Sequence, residues 1–187
     1  MGILSATNYR IFRLIPWGIN LSLIVALTAC NSADSPQKPA TLNSRYNDEQ
    51  PALSGDGRLL AFVSNRKGHS QIALYDLKRK QLINLPGLNE DNTITQNPSL
   101  SLTGRYIVYI SSDGGRPTIY LYDRITEKAE VLSRNYRSWV RSPNISPDGR
   151  YVVFESARRG QWDVEILDRG PGIELDIVDG TSITGPE

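Results

Sequence analysis

Three stretches of the chain repeat one order of hydrophobic and polar positions: QPALSGDGRLLAFVSNRKGHSQIALYDLK from Gln50, NPSLSLTGRYIVYISSDGGRPTIYLYDR from Asn97 and SPNISPDGRYVVFESARRGQWDVEILDR from Ser142. They align without a gap. Pro51, Pro98 and Pro143 correspond, as do Gly57, Gly104 and Gly149, then Gly68, Gly115 and Gly160, then Asp76, Asp123 and Asp168, and each series steps by 47 and then by 45 residues. A period of this length implies stacked supersecondary units, each burying its apolar face against a neighbour.

Within a unit the periodicity predicts strands. The first segment (PALS, PSLS, PNIS) alternates apolar and polar residues, as a short strand does. A turn follows at Asp56-Gly57, Thr103-Gly104 or Asp148-Gly149, where glycine takes the positive φ that tight turns require. The next segment, LLAFVS, YIVYIS or YVVFES, is β-branched and aromatic on both parities, so both faces of this strand must be covered by packed sheets. A polar loop with a central glycine leads to QIALYD, TIYLYD or DVEILD, whose closing aspartate suits an Asx turn. QLINL, AEVLS and IELDIV then supply a fourth strand to each copy. Four antiparallel strands in about 45 residues is the proportion of a β-propeller blade. The expected class is all-β: a partial β-propeller of three four-stranded antiparallel blades at about 46–90, 91–136 and 137–180, with a tail at 181–187.

These residues also carry a family likeness. SPDGRYVVFES with VEILD, echoed by SGDGRLLAFVSN with IALYD and SLTGRYIVYIS with IYLYD, resembles the WD40-like propeller repeat of the TolB family, a repeat that also builds the propellers of several prolyl-oligopeptidase-type peptidases. The likeness runs from Gln50 to about Asp179, and the middle copy departs from it with Leu102-Thr103-Gly104 in place of Pro-Asp-Gly. It implies a propeller and a part in Tol-type envelope integrity or macromolecule transport.

Residues 1–29 read as an export signal. Arg10 and Arg13 precede an apolar run from Leu14 to Ala29, which closes Leu27-Thr28-Ala29-Cys30. Its sixteen residues fall short of the roughly 20 that cross a bilayer core. Leu-x-Ala-Cys resembles the bacterial lipobox, which implies that Cys30, the only cysteine, becomes the diacylated N-terminus. Residues 30–45, with two prolines and few apolar groups, would then be a lipidated cysteine and tether. The expected location is the periplasmic face, membrane-anchored through the lipid; Asn31 after the cysteine leaves inner and outer membrane both open.

Charge and composition narrow the chemistry. The chain holds 21 basic and 20 acidic residues, and without residues 1–29 its net charge is −1, which offers no general drive toward nucleic acid. His69 is the single histidine and has no serine or cysteine partner assignable to a catalytic arrangement. One histidine with no free cysteine argues against zinc, no D-x-D-x-D-G loop argues for calcium, and Asp113-Gly114-Gly115 falls in a hairpin instead of before a helix. No cofactor, metal or catalytic residue is therefore expected, and the chain reads as a non-enzyme.

Blade geometry predicts which loops share a rim. The loop between second and third strands and the connection between blades lie on one side, and the Asp-Gly turns on the other. The first rim would collect Arg66, Lys67 and His69, then Arg116, then Arg137, Trp139 and Arg141, and finally Arg158, Arg159 and Trp162. Such a basic-aromatic rim suits an acidic protein face or an anionic cell-envelope polymer, with arginine for paired contacts and tryptophan as a flat anchor. Three blades fall short of the typical 4–8, so a homodimer closing a six-bladed ring is one expectation and an open arc another. Two classes of function follow: an interaction and scaffold module for envelope proteins, or a non-catalytic accessory acting in trans with an envelope peptidase or polysaccharide-processing enzyme.

Overall fold

The computed structural model describes Leu42 and residues 44–90, 93–112 and 115–177. All fall in the larger of the two compact units into which the chain divides, residues 36–187. The signal at 1–29, Cys30, most of the tether and the tail at 181–187 lie outside the described residues.

The repeat folds three times into an antiparallel sheet. The first holds β1 (Asp48–Leu53), β2 (Leu59–Ser64), β3 (Gln71–Asp76) and β4 (Gln81–Ile83), and the second β5 (Ile94–Leu100), β6 (Tyr106–Ser112), β7 (Thr118–Asp123) and β8 (Lys128–Val131). The third holds β9 (Val140–Ile145), β10 (Tyr151–Ser156) and β11 (Asp163–Asp168), each sheet running in chain order. β1 lies against β5 and β5 against β9, so the first strand of each unit is innermost and the sheets stack as propeller blades. Backbone bonds join neighbouring blades at corresponding turns, with donors one residue apart in the repeat: Asp56 N to Leu102 O at 2.9 Å, and Leu102 N to Pro147 O at 2.7 Å.

Two apolar layers hold the stack. Leu59, Ala61, Ile72 and Leu74 of the first blade meet Leu100, Ile107, Tyr109 and Tyr122 of the second. Tyr106, Val108, Ile110, Ile119 and Leu121 on the second blade's other face meet Val140, Ile145, Val152 and Phe154 of the third. The two parities of the middle blade's central strand, β6, thus serve two different neighbours, as an unbroken apolar run predicts. Fully burying one Leu or Ile side chain contributes about 1.5–3 kcal/mol.

The turns follow the repeat. Gly57, Gly104 and Gly149 have φ of 70°, 70° and 80°, and each amide returns to the carbonyl of Ser54, Ser101 or Ser146 at 2.9 to 3.1 Å. A Cβ on Gly149 would come 2.5 Å from the Tyr106 ring, so this glycine also admits close packing of the third blade on the second. The closing aspartates form Asx turns: Asp76 Oδ1 accepts the Lys78 amide at 2.9 Å, Asp123 Oδ1 that of Ile125 at 2.9 Å and Asp168 Oδ1 that of Gly170 at 2.8 Å.

One expected strand does not form among the described residues. Residues 173–177, the described part of the segment 173–178 anticipated as the fourth strand of the third unit, form no ladder, so among the described residues that blade has three strands. Proline chemistry explains it. In the first unit Asp76 Oδ1 also accepts the Arg79 amide at 2.8 Å, and in the second the Thr126 amide helps hold Asp123. Pro171 occupies the same place in the third unit and has no N–H to donate, so the turn into a fourth strand cannot close in this way.

Candidate interaction surfaces

The arginines of the predicted rim mostly carry partners of their own. Arg66 pairs with Asp48 at 2.8 Å and lies over the Phe62 ring at 5.5 Å. Lys67 is exposed, and the His69 ring nitrogen sits 2.7 Å from the Gln71 amide nitrogen. Arg116 donates to the Arg137 carbonyl at 2.6 Å, linking second and third units, and Arg137 itself is exposed. Arg158 faces Glu165 at 3.5 Å and Arg159 pairs with Asp163 at 2.9 Å. The tightest grouping is in the third unit. Arg141 pairs with Glu155 at 2.6 Å and its guanidinium stacks 3.9 Å from the centroid of the Trp162 ring, while Trp139 is 61 % exposed. A stacked arginine of this kind contributes about 0.5–1 kcal/mol at an exposed site.

That group borders a larger feature. On the third blade Tyr151, Val153 and Glu155 of β10 pair with Asp168, Ile166 and Val164 of β11, and these share one face. The repeat equates this face with Leu59, Ala61, Val63, Ile72 and Leu74 in the first unit and with Tyr106, Val108, Ile110, Ile119 and Leu121 in the second. Those ten are buried, and apart from Val63 they pack against the next blade. On the third blade Val164 is 73 % and Ile166 67 % exposed. β11 is also the edge of its sheet, with one side of its backbone unpaired in the ladder. Glu155 stands where Val63 and Ile110 stand earlier, beside Val164, and its charge is paired with Arg141.

The Asp-Gly-turn rim shows a repeated ionic staple that local motif reading missed. Arg58, Arg105 and Arg150 each reach an aspartate 18 residues on: Asp76 at 3.1 Å, Asp123 at 3.3 Å and Asp168 at 3.0 Å. The signal was in the alignment, because both residues recur at a constant interval in all three copies. Burial pushes the Asp123 carboxyl up, but the Arg105 guanidinium and the Ile125 amide outweigh it and hold it below the usual range. The Arg79 amide does most to lower Asp76, and the Arg150 guanidinium most to lower Asp168.

A third surface lines the axis. Gln50, Asn97 and Ser142, each before a proline, have φ of 52°, 51° and 52° and lie within irregularities of the inner strands. A left-handed non-glycine residue costs about 1–2 kcal/mol. The Gln50 side chain answers part of that by accepting the Asn97 amide at 2.6 Å, tying two blades at equivalent positions.

Residues 31–182 match a known family, that of the TolB beta propeller domain. The chain belongs to this family. Among solved structures, TolB from Acinetobacter baumannii is 27 % identical over 71 % of this chain and 32 % of its own, with a TM-score of 0.56. A protein described as TolB from Agrobacterium tumefaciens is 22 % identical, covering 73 % of this chain and 50 % of its own, with a TM-score of 0.54. The tricorn protease, at 15 % identity over 71 % of this chain and 15 % of its own, has a TM-score of 0.52. The last two likenesses are of fold alone. This TolB-like chain therefore spans about a third of the first structure's length and half of the second's. No curated protein matches it.

Proposed function

We propose that this TolB-like arc is an exported, lipid-anchored interaction module of the cell envelope that captures a protein partner on the outer face of its third blade. The observation that carries the reading is the exposure of Val164 and Ile166, at positions whose counterparts in the two preceding blades are buried. The adjoining Arg141 and Trp162 supply the side-chain types that dominate binding hot spots. Kinship with TolB supports a Tol-type setting, in envelope integrity or macromolecule transport. Cys30 would bear the lipid and residues 31–45 the tether, with the blades beginning near residue 46.

Ile166→Asp is expected to leave thermal unfolding unchanged and to reduce crosslinked capture of an envelope protein at least tenfold. Undiminished capture by the folded variant overturns the assignment of the face. Recovery of a hydrolase would support the accessory role in trans. Light scattering over a range of concentrations separates these from self-association: a mass of two chains, lost in Ile166→Asp, makes a second copy the occupant and a six-bladed ring the assembly. Cys30→Ser is expected to stay uncleaved and unlipidated, and normal maturation of that variant would remove the anchor from the reading.

A further inference from the structure

In the first and third units, the turn between the two leading strands closes on its own aspartate. Ser54 Oγ donates to Asp56 Oδ1 and Ser146 Oγ to Asp148 Oδ1, both at 2.5 Å, and each carboxylate accepts a second bond from the amide of Arg58 or Arg150. The second unit has Thr103 in that place and no carboxylate of its own. Asp176 supplies one from far along the chain. Its Oδ2 accepts from Ser101 Oγ at 2.5 Å and from the Thr103 amide at 2.8 Å, and its Oδ1 from Thr103 Oγ1 at 2.6 Å. Asp176 is 3 % exposed. Two residues earlier Glu174 meets Arg105 at 2.8 Å, and its carbonyl accepts the Tyr106 hydroxyl at 2.5 Å.

This rim is thus a formed receptor for carboxylates two residues apart on an extended chain, with a hydroxyl-and-amide pocket for one and a guanidinium for the other. It is also larger than its occupant. A groove of about 990 Å³ runs beside residues 173–177, and another of about 540 Å³ leads on toward the first unit; Thr103 and Arg124 line both. Arg124 donates to the Gly104 carbonyl at 3.0 Å and pairs with no carboxylate among the described residues. The occupant is held by these bonds and by the Asp176 amide, which donates to the Asp148 carbonyl at 2.9 Å, but it joins no sheet, Gly170-Pro171-Gly172 precedes it, and the Glu174 side chain is 76 % exposed.

The geometry points to the Asp-Gly-turn rim of the second blade as a docking site for an extended acidic segment of a partner protein, with Glu174-Leu175-Asp176 seated there in cis as its stand-in. A partner segment with one further carboxylate would reach Arg124, which the chain's own segment leaves unanswered. This site is separate from the outer face of the third blade, and neither reading depends on the other.

The probe is a labelled peptide of sequence Pro-Gly-Ile-Glu-Leu-Asp-Ile, followed by fluorescence anisotropy with the full chain. The Glu174→Ala, Asp176→Ala double variant, with its groove vacated, is expected to bind the peptide at least tenfold more tightly than wild type. That affinity should weaken as salt rises and vanish when the peptide aspartate is replaced by asparagine. No binding by the folded double variant, or equal binding by variant and wild type, overturns the proposal. Thr103→Asp is the second arm, since it restores the missing carboxylate within the turn and keeps the turn closed if loss of Asp176 proves destabilising. It is expected to expel Asp176, to speed amide hydrogen exchange at residues 175–177 at least tenfold, and to bind no peptide. Exchange as slow as in wild type overturns the proposal equally.

Discussion

Ile119 and Leu121 on the second blade and Val164 and Ile166 on the third hold the same two places in the repeat, yet the first pair is 0 % and 1 % exposed and the second 73 % and 67 %. The residue types hardly differ. What differs is the neighbour: the second blade has a third to pack on, and the third has none among the described residues. An apolar residue in this template therefore records that its position is designed to be covered, while the cover itself comes from outside the unit. The remaining difference is Glu155, a charge where the earlier copies have Val63 and Ile110, which with Arg141 makes the uncovered face partly polar.

The comparison breaks if truncation is felt equally in both places. Leu121→Ala removes a fully buried side chain and is expected to cost about 2–5 kcal/mol, whereas Ile166→Ala should fall within about 0.5 kcal/mol of wild type in the monomer. Urea unfolding of both variants checks this, and equal losses would mean that the third blade's face is already covered in solution.

The ionic staples extend the contrast. Arg105 and Asp123 are little exposed, with side-chain accessibilities of 9 % and 16 %, while Arg150 and Asp168 stand at 36 % and 43 %. Asp123→Asn is expected to cost about 1.5–3 kcal/mol, the range for a hydrogen bond to a charged group, and Asp168→Asn much less. The sign with pH follows from the same bonds. Asp123 and Glu174 titrate below their ordinary values in the folded chain, so they stabilise it above the unfolded carboxyl range near pH 4 and lose that contribution as pH falls through their folded values. Melting temperature should hold down to about pH 5 and drop below about pH 4, with a shallower drop in Asp123→Asn. A profile unchanged by that substitution would show that Asp123 does not set the acid limb.

The smallest effect sharpens the comparison from the other side. Glu155→Ile gives the third blade the residue type of the second and is expected to leave monomer stability within about 0.5 kcal/mol while raising concentration-dependent association in sedimentation. No gain in association would mean that the Glu155–Arg141 pair does not limit what the face binds.

Much of the architecture was legible because it is written in local terms that recur. Turn glycines, strands apolar on both parities and closing aspartates each specify their own few residues, and three aligned copies made the period unmistakable. The Arg–Asp staples were legible in principle, since arginine and aspartate recur at one interval, but a carboxylate with a ready local role in an Asx turn did not call for a second partner. The missing fourth strand was misread because Ile173, Leu175 and Ile177 alternate with Glu174 and Asp176 as strand residues do. Pro171, in the place of Arg79 and Thr126, was the contrary signal.

By itself, then, the sequence determined the all-β class, the unit and its turns, because φ preferences and side-chain periodicity act over a few residues at a time. Tertiary structure decided which apolar faces are covered, which arginines keep a free charge, and that Asp176 completes a turn of the second unit rather than a strand of the third. Those outcomes depend on groups brought together from as far as 75 residues apart, as Ser101 and Asp176 are. Burial and pairing are properties of the neighbour that arrives, and a local pattern carries no information about that neighbour.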